Sequence, residues 1–386
     1  MDAPHPHALL IILFVAAVAP LLNEIPYRLR PPLVVIEIVF GVVIGPQMLD
    51  LIAVEGPIRS FSALGMSFLF FLAGMELEFN ILKGKPLNLA VAGWLCSILI
   101  ALSITYGLQQ VHLVSNPLLV SVALSTTAIG TLLPILRDSG ELDSGFGRYV
   151  LGAGAIGEFG PIILFSLIFT GEHGVAVKSG LLLAFIFIAL ACASIAMQLR
   201  PPHIVDLLTK TLNATSQLPI RLSVFLLGAL VVLADTMGLD LLLGAFAAGS
   251  LVGLVSKGSS AEVFRHKLDA LGFGFFIPIF FITSGAQVDL HALTSSAGTL
   301  VRVPLFLALL LVVRGLPVVL YRKVLTKRQS LMLAFYSATG LPLIVVITDI
   351  GKATGLMQPE NAAALVGAGV ISVLLYPLLA LMLREH

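Results

Sequence analysis

One stretch decides the fold of this chain: 151-LGAGAIGEFGPIILF-165. It lies inside an apolar run that extends from about Arg148 to Thr170, and Glu158 stands near the middle of that run. At a rise of about 1.5 Å per residue, Glu158 lies roughly 15 Å from each end, at the centre of a hydrocarbon core about 30 Å thick. A carboxylate at that depth costs several kcal/mol, so an acidic residue there indicates a functional site. The alternative is a protonated structural acid that is bonded to a neighbouring helix.

The composition of the chain identifies a polytopic helical membrane protein. Of its 386 residues, 58% are hydrophobic and only 11% are charged, whereas an ordinary soluble domain has about 25% charged residues. No cluster of Lys and Arg with interleaved aromatic residues occurs, so we expect the lipid bilayer and no nucleic acid as a partner. The sequence contains neither an H-E-x-x-H motif nor a phosphate-binding loop of the Gly-x4-Gly-Lys-Ser/Thr type. We therefore expect no enzyme activity, no cofactor, no bound metal beyond a transported cation, and no direct use of ATP.

Apolar runs bounded by proline, glycine and charged residues predict about thirteen membrane-spanning helices. Most of the 22 Lys and Arg residues fall in the loops on one face of this arrangement. By the positive-inside rule that face is cytoplasmic, which places the N-terminus outside and the C-terminus inside. We expect the chain to lie in the cell (inner or plasma) membrane. The predicted spans lie near residues 8–22, 33–48, 60–76, 87–108, 117–136, 148–170, 178–199, 220–237, 240–255, 270–285, 299–320, 329–350 and 362–383.

The predicted spans fall into two copies of six. A Gly-x3-Gly pair in the second span, Gly41 and Gly45, matches a pair in the ninth, and three further matches follow in the same order about 210 residues apart. Because seven spans separate each pair of partners, the copies have opposite orientations, which is the architecture of secondary transporters. Where the first copy carries Glu158, the second carries Val373, so one copy is specialised to hold the charge. The first copy covers about 8–170, the connecting helix about 178–199 and the second copy about 220–383.

Two corresponding spans, the fifth and the twelfth, carry hydroxyl, glycine and proline residues at membrane depth. Pro342 cannot continue an α-helix cleanly, and Pro134 is its nearest counterpart in the fifth span. Interrupted helices in corresponding positions of two halves indicate a substrate site, because freed carbonyls bind cations and the helix dipoles need compensating charge. The alternative is two intact helices, whose hydroxyls bond back to the backbone and whose prolines only kink it. The residues concerned are Ser125, Thr126 and Thr127 in the fifth span and Ser337, Thr339, Gly340 and Pro342 in the twelfth.

Three charged residues lie inside or at the ends of other spans. Arg314 is placed about two turns from the cytoplasmic end of the eleventh span, from where its side chain can also reach the surface. If it faces inward, it compensates the C-terminal ends of broken helices or pairs with Glu158. Glu37 and Glu76 lie nearer the cytoplasmic surface, where we interpret them as attracting cations to a funnel. Solvated interfacial carboxylates are the alternative.

The chain resembles the monovalent cation:proton antiporter-2 family, the group that includes Kef-like and NapA-like proteins. The similarity rests on 32-PLVVIEIVFGVVIGP-46, on 70-FFLAGMELE-78 and on 125-STTAI-129. It implies a single sodium/hydrogen exchanger domain over residues 1–386, in which two crossed, interrupted helices and their neighbours form a core. That core moves against a dimerisation domain, so the partners implied are a monovalent cation, a proton and a second copy of the chain.

The resemblance also implies roles for individual residues. Glu158 stands at the acid that binds cation and proton in turn, with Thr126 and Thr127 on the unwound segment beside it. Arg314 matches the basic residue on the helix before the second crossing helix. The family usually has Asp at the position of Glu158, often after another Asp, Asn or Gln, whereas this chain has Gly157 before it.

The single deep carboxylate predicts the stoichiometry. One carboxylate exchanges one proton for one monovalent cation, Na⁺ or K⁺, so we predict electroneutral 1:1 exchange by alternating access. The sequence lacks the cytoplasmic nucleotide-binding domain that Kef proteins carry, so we expect no gating by nucleotides.

Other functions stay open on the residues alone. A symporter or an organic-ion carrier on the same fold would bind its substrate at the same crossing, but would show more polar or basic residues there than Arg314. A pH or ion sensor that has lost transport is kept open by Gly157. A membrane enzyme would need a nucleophile and a base at depth, and every histidine lies in a loop or at the end of a span.

Overall fold

The computed structural model describes residues 7–23, 33–76, 84–142, 144–169, 175–198, 207, 210–256, 261–288, 290–291 and 297–384. Over these residues the chain is helical and forms no β-strand, which confirms the predicted all-α class. Eight helical segments in this part of the chain are long and apolar enough to cross a membrane, counting interrupted pairs as one segment, and five shorter apolar segments lie within other predicted spans. The protein is a multi-pass membrane protein, whereas the count of thirteen spans and the inverted symmetry stay predictions.

Sixteen α-helices follow one another along the described residues. They are α1 (Ala8–Asn23), α2 (Leu33–Ile44), α3 (Gly56–Glu76), α4 (Lys85–Gln110), α5 (Pro117–Leu124), α6 (Ile129–Asp138), α7 (Gly145–Phe169), α8 (Val175–Gln198), α9 (Leu218–Thr236), α10 (Leu241–Val255), α11 (Ala261–Leu271), α12 (Ile277–Ala286), α13 (Ala297–Gly315), α14 (Lys327–Ser337), α15 (Pro342–Ala353) and α16 (Pro359–Met382). A π-helical turn, Gly272–Phe276, joins α11 to α12, and a 3-10 segment, Leu316–Tyr321, continues α13. The fifth and twelfth predicted spans each consist of two short helices, α5 with α6 and α14 with α15.

The chain forms two compact units, and each draws on both halves of the sequence. Unit 1 comprises Met1–Ile58, Asn80–Pro161 and Phe281–His386, and unit 2 comprises Arg59–Phe79 and Ile162–Phe280. Unit 1 therefore contains both interrupted pairs of helices, together with α4, α13, α16 and the part of α7 that carries Glu158.

The first half of each interrupted pair begins with a strong local signal. Asn116 caps α5, because its side-chain oxygen accepts from the Leu119 amide at 3.0 Å, and Pro117 supplies the first helical residue. A capping box starts α14, in which the Thr326 hydroxyl accepts from the Gln329 amide at 3.2 Å and the Gln329 side chain accepts from the Thr326 amide at 3.1 Å. These caps define where each short helix begins, although neither helix is long enough to span a membrane alone.

In unit 1, α2 packs backbone to backbone against the end of α12. A Cβ atom on Gly41 would overlap the carbonyl of Ile282, and one on Gly45 would lie 2.8 Å from the Cα atom of Ala286. Only glycine permits this close approach. Because lipid provides no hydrophobic driving force between helices, close van der Waals contact holds the two helices together instead.

In unit 2, a second glycine pair gives the same kind of contact between α10 and α3. A Cβ atom on Gly249 would overlap the carbonyl of Phe71, and one on Gly253 would lie 2.6 Å from the carbonyl oxygen of Met75. The two Gly-x3-Gly pairs that match in the sequence therefore have the same packing role, one in each unit.

Candidate functional site

The fifth predicted span is interrupted where its hydroxyl residues lie. Helix α5 ends at Leu124 and α6 begins at Ile129. The hydroxyls of Ser125 and Thr126 each donate to a carbonyl in the last turn of α5, at 2.9 Å, and so satisfy acceptors that a continuing helix would use. Pro134, which the sequence indicated as the nearest counterpart of Pro342, is not at the break. It lies inside α6, because a membrane helix tolerates a proline without breaking.

The twelfth predicted span is interrupted as well, and the two breaks touch. Helix α14 ends at Ser337, and α15 begins at Pro342, whose fixed φ suits the first residue of a helix. The amide of Ala128, in the first break, donates to the carbonyl of Thr339, in the second break, at 2.7 Å. The interruptions expected from the sequence are therefore both present, and a backbone hydrogen bond joins them.

Ser372 on α16 satisfies the backbone of the second break. The amide of Gly340 donates to the Ser372 hydroxyl oxygen at 3.1 Å, and that hydroxyl donates to the Gly369 carbonyl at 2.7 Å. A Cβ atom on Gly340 would lie 2.9 Å from the hydroxyl oxygen of Thr126, so the glycine lets the two breaks approach. Ser372 was not predicted from the sequence, although it directly precedes Val373, the residue that the predicted repeat matches to Glu158.

Glu158 lies on α7 with 2% of its surface exposed, and its carboxylate caps α6. Its Oε2 atom accepts from the amide of Ile129 at 3.0 Å. Ile129 is the first residue of α6, and the N-terminal end of a helix carries about half a positive charge. The carboxylate thus occupies the position at which helix N-termini bind anions.

Arg314 on α13 faces the protein interior, with 4% of its surface exposed. Its Nε atom donates to the Thr127 hydroxyl at 3.0 Å and to the Ser337 carbonyl at 3.4 Å. Its Nη1 atom donates to the Ser97 hydroxyl at 3.2 Å, and its Nη2 atom donates to the Ala153 carbonyl at 3.1 Å. Ser337 ends α14, so the guanidinium lies at the negative end of that helix dipole.

The charges of Glu158 and Arg314 are therefore accommodated separately. Of the two inward-facing roles considered for Arg314, the contacts favour compensation of a helix C-terminus. Within the part of the chain that the structure describes, no ion pair joins Arg314 to Glu158. Ser97, on α4, was not expected at this site. Its position inside a long apolar run places a hydroxyl at membrane depth but does not show which way the side chain faces.

The two threonines of the first break have different surroundings. The Thr127 hydroxyl donates to the Ser337 carbonyl at 2.5 Å and accepts from Arg314, and the Thr127 amide donates to the Gly157 carbonyl at 2.8 Å. Thr127 therefore belongs to the surroundings of the guanidinium. The Thr126 hydroxyl uses its proton on the α5 backbone and directs its oxygen towards the second break.

The two acidic residues that we interpret as a funnel differ in their burial. Glu37 lies on α2 in unit 1 with only 3% of its surface exposed, so the alternative of a solvated interfacial carboxylate is wrong for this residue. Glu76 ends α3 in unit 2 and lies 3.7 Å from the guanidinium of Arg265. Their proposed role in attracting cations stays a prediction.

The chain matches a known protein family and is similar to several named proteins. The family model for the transmembrane sodium/hydrogen exchanger matches residues 10–381. A putative Na(+)/H(+) antiporter of Bacillus subtilis, YjbQ, is 29% identical over 96% of this chain, and the chain spans 62% of the length of YjbQ. The Na(+)/H(+) antiporter of Enterococcus hirae is 26% identical over 92% of this chain and 93% of its own length.

A solved structure shows the same fold. The sodium proton antiporter MjNhaP1 from Methanocaldococcus jannaschii aligns with 97% of this chain and 95% of its own, with a TM-score of 0.62 and 15% sequence identity. The family consists of transporters, which confirms that an enzyme is not the correct class. The extent of the family match, over residues 10–381, also confirms the resemblance seen in the sequence, and the chain belongs to the sodium/hydrogen exchanger family.

Proposed function

We propose that this chain exchanges a monovalent cation, Na⁺ or K⁺, for a proton across the cell membrane, and that Glu158 binds the two in turn. The observation that carries the proposal is one buried carboxylate, bonded to the N-terminus of α6 where two interrupted helices touch. Similarity to two proteins named as Na(+)/H(+) antiporters supports the same chemistry.

We assign different tasks to the two oxygens of the carboxylate. Oε2 of Glu158 is bonded to the Ile129 amide, so we assign Oε1 to the exchanged proton or cation. The Thr126 hydroxyl oxygen is the side-chain ligand that we assign to the cation, together with carbonyl oxygens of Thr339 and Gly340 at the second break. A protonated carboxyl group carries no negative charge to stabilise a cation in these apolar surroundings. The proton and the cation therefore exclude each other.

The single exchanged carboxylate gives electroneutral 1:1 exchange. Among the residues that the structure describes, Arg314 bonds only neutral oxygens, so its positive charge compensates the end of α14 and stays with the protein through the cycle. Alternating access then carries Glu158 between the two sides of the membrane, with Glu37 and Glu76 attracting cations on the cytoplasmic side. We further propose that the chain forms a homodimer in the cell membrane, with its N-terminus outside and its C-terminus in the cytoplasm.

The experiment is a pH-gradient assay in proteoliposomes. Purified protein is reconstituted, an inside-acid gradient is imposed, and the internal pH is followed after addition of Na⁺, K⁺ or Li⁺. We expect one or more cations to dissipate the gradient with the wild type and none to do so with Glu158→Gln. The matched control is Glu262→Gln, at a glutamate whose side chain is 86% exposed, which should behave as the wild type.

Two results would contradict the proposal. Cation-dependent dissipation that survives in Glu158→Gln would remove Glu158 from the mechanism. A folded wild type that responds to no cation would favour a sensor or an organic-ion carrier on the same fold.

A further inference from the structure

The guanidinium of Arg314 occupies the space that a side chain at residue 157 would fill. A Cβ atom on Gly157 would overlap the Nη2 atom of Arg314, and it would lie 2.6 Å from the hydroxyl oxygen of Thr127. Nη2 is the atom that bonds the Ala153 carbonyl, one turn earlier on the same helix. The observed position of Arg314 therefore requires glycine at residue 157.

In this position the positive charge of Arg314 is stabilised without a carboxylate partner. Its acceptors are hydroxyl and carbonyl oxygens of Ser97 on α4, Thr127 in the first break, Ala153 on α7 and Ser337 at the end of α14. A guanidinium has five N–H donors in a planar fork, so three nitrogen atoms can serve four acceptors on separate elements. The dipole of α14 supplies the opposing partial charge.

A guanidinium displaced from these acceptors would need another partner, because a buried charge without one is strongly unfavourable. Glu158 is the next residue after Gly157 and the only acidic residue of α7. An ion pair between Arg314 and Glu158 would occupy the carboxylate that we assign to the cation.

We infer that Gly157 is a positioning residue, which keeps Arg314 on neutral acceptors and so keeps the Glu158 carboxylate available to the transported cation. This inference rests on the proposed function of Glu158, and it goes beyond that function by giving the residue before the acid a role in cation affinity.

The first test measures exchange kinetics of Gly157→Ala in proteoliposomes. We expect the KM for the cation to rise by about tenfold, which corresponds to a competing contact of about 1.4 kcal/mol, with a smaller change in kcat. The matched control is Gly152→Ala on the same helix, where the new Cβ atom would lie 3.4 Å from the nearest atom, the Pro86 carbonyl oxygen. Its KM should stay within about twofold of the wild type.

The second test asks whether the effect of Gly157→Ala acts through the guanidinium. In an Arg314→Gln background the competing charge is gone, so adding Gly157→Ala should leave the KM of Arg314→Gln unchanged. An equal rise in KM in both backgrounds would overturn the inference, because contact with Thr127 alone would then explain it.

A thermal unfolding experiment tests, without a transport assay, whether residue 157 acts through Arg314. The Tm of detergent-purified protein should fall with Gly157→Ala in the wild-type background and change little in the Arg314→Gln background. An equal fall in both backgrounds would overturn the inference. A wild type without exchange would refute the proposed function instead, and the melting comparison would still show whether residue 157 acts on Arg314.

Discussion

Ser97→Ala tests the surroundings of Arg314 through one side chain. The Ser97 hydroxyl is fully buried, accepts from Arg314 Nη1 at 3.2 Å and donates to the Gly93 carbonyl at 3.0 Å. A hydrogen bond to a charged group contributes about 1.5–3 kcal/mol, and this variant removes one of the four groups that accept from the guanidinium. We expect the free energy of unfolding to fall by about that amount and Tm to fall by about 2–4 °C for a chain of this length.

The matched control for this prediction lies on the same helix. Ser103 is exposed, and its hydroxyl donates to the Leu99 carbonyl at 2.8 Å, which repeats the backbone bond of Ser97 without a contact to Arg314. Both alanine variants are purified in detergent, and Tm is measured by intrinsic fluorescence. The difference between the two variants isolates the bond to the guanidinium. Equal Tm values for Ser97→Ala and Ser103→Ala would refute the reasoning that Arg314 depends on this hydroxyl.

Three other perturbations have defined outcomes. Ser372→Ala removes the acceptor of the Gly340 amide, and a buried unsatisfied group costs about 1–3 kcal/mol, so Tm and the initial rate of exchange should both fall; an unchanged Tm would show that the amide finds another acceptor. Gly41→Ala places a Cβ atom on the Ile282 carbonyl and should lower Tm, since overpacking costs about 1–3 kcal/mol, whereas Gly107→Ala, with no atom within 4 Å of the new Cβ, should leave Tm unchanged. Exchange measured at different imposed membrane potentials should keep a constant rate, because 1:1 exchange moves no net charge, and a rate that follows the potential would contradict the stoichiometry.

The parts of the site that the sequence predicted are those with a local signal. Glu158 is recognisable because a carboxylate in the middle of an apolar run is unfavourable unless the protein uses it. The breaks at Ser125–Ala128 and before Pro342 are recognisable because hydroxyl, glycine and proline residues cluster at membrane depth. Pro134 does not mark the break, because proline alone does not terminate a membrane helix. At the break itself, the side chains of Ser125 and Thr126 satisfy the freed carbonyls.

The parts that the sequence did not predict depend on which helices face one another. Nothing local to Ser97 shows that α4 directs it at a guanidinium on α13, more than 200 residues later. The role of Ser372 likewise requires α16 to lie beside the break that contains Gly340. In the sequence, Gly157 is notable only because the family often has Asp, Asn or Gln at this position. The space that Arg314 takes in its place is visible only once the helices are packed.

The hydrogen bond from Ala128 to Thr339 has a consequence for how the protein is made. The two residues are separated by about 210 positions, and the bond joins the first half of the chain to the second. A chain inserted into the membrane from its N-terminus presents the first break long before the ribosome has synthesised the second. Contacts between such distant segments form late in folding. The candidate site is therefore assembled only after α14 and α15 have entered the bilayer, when the second break can reach the first.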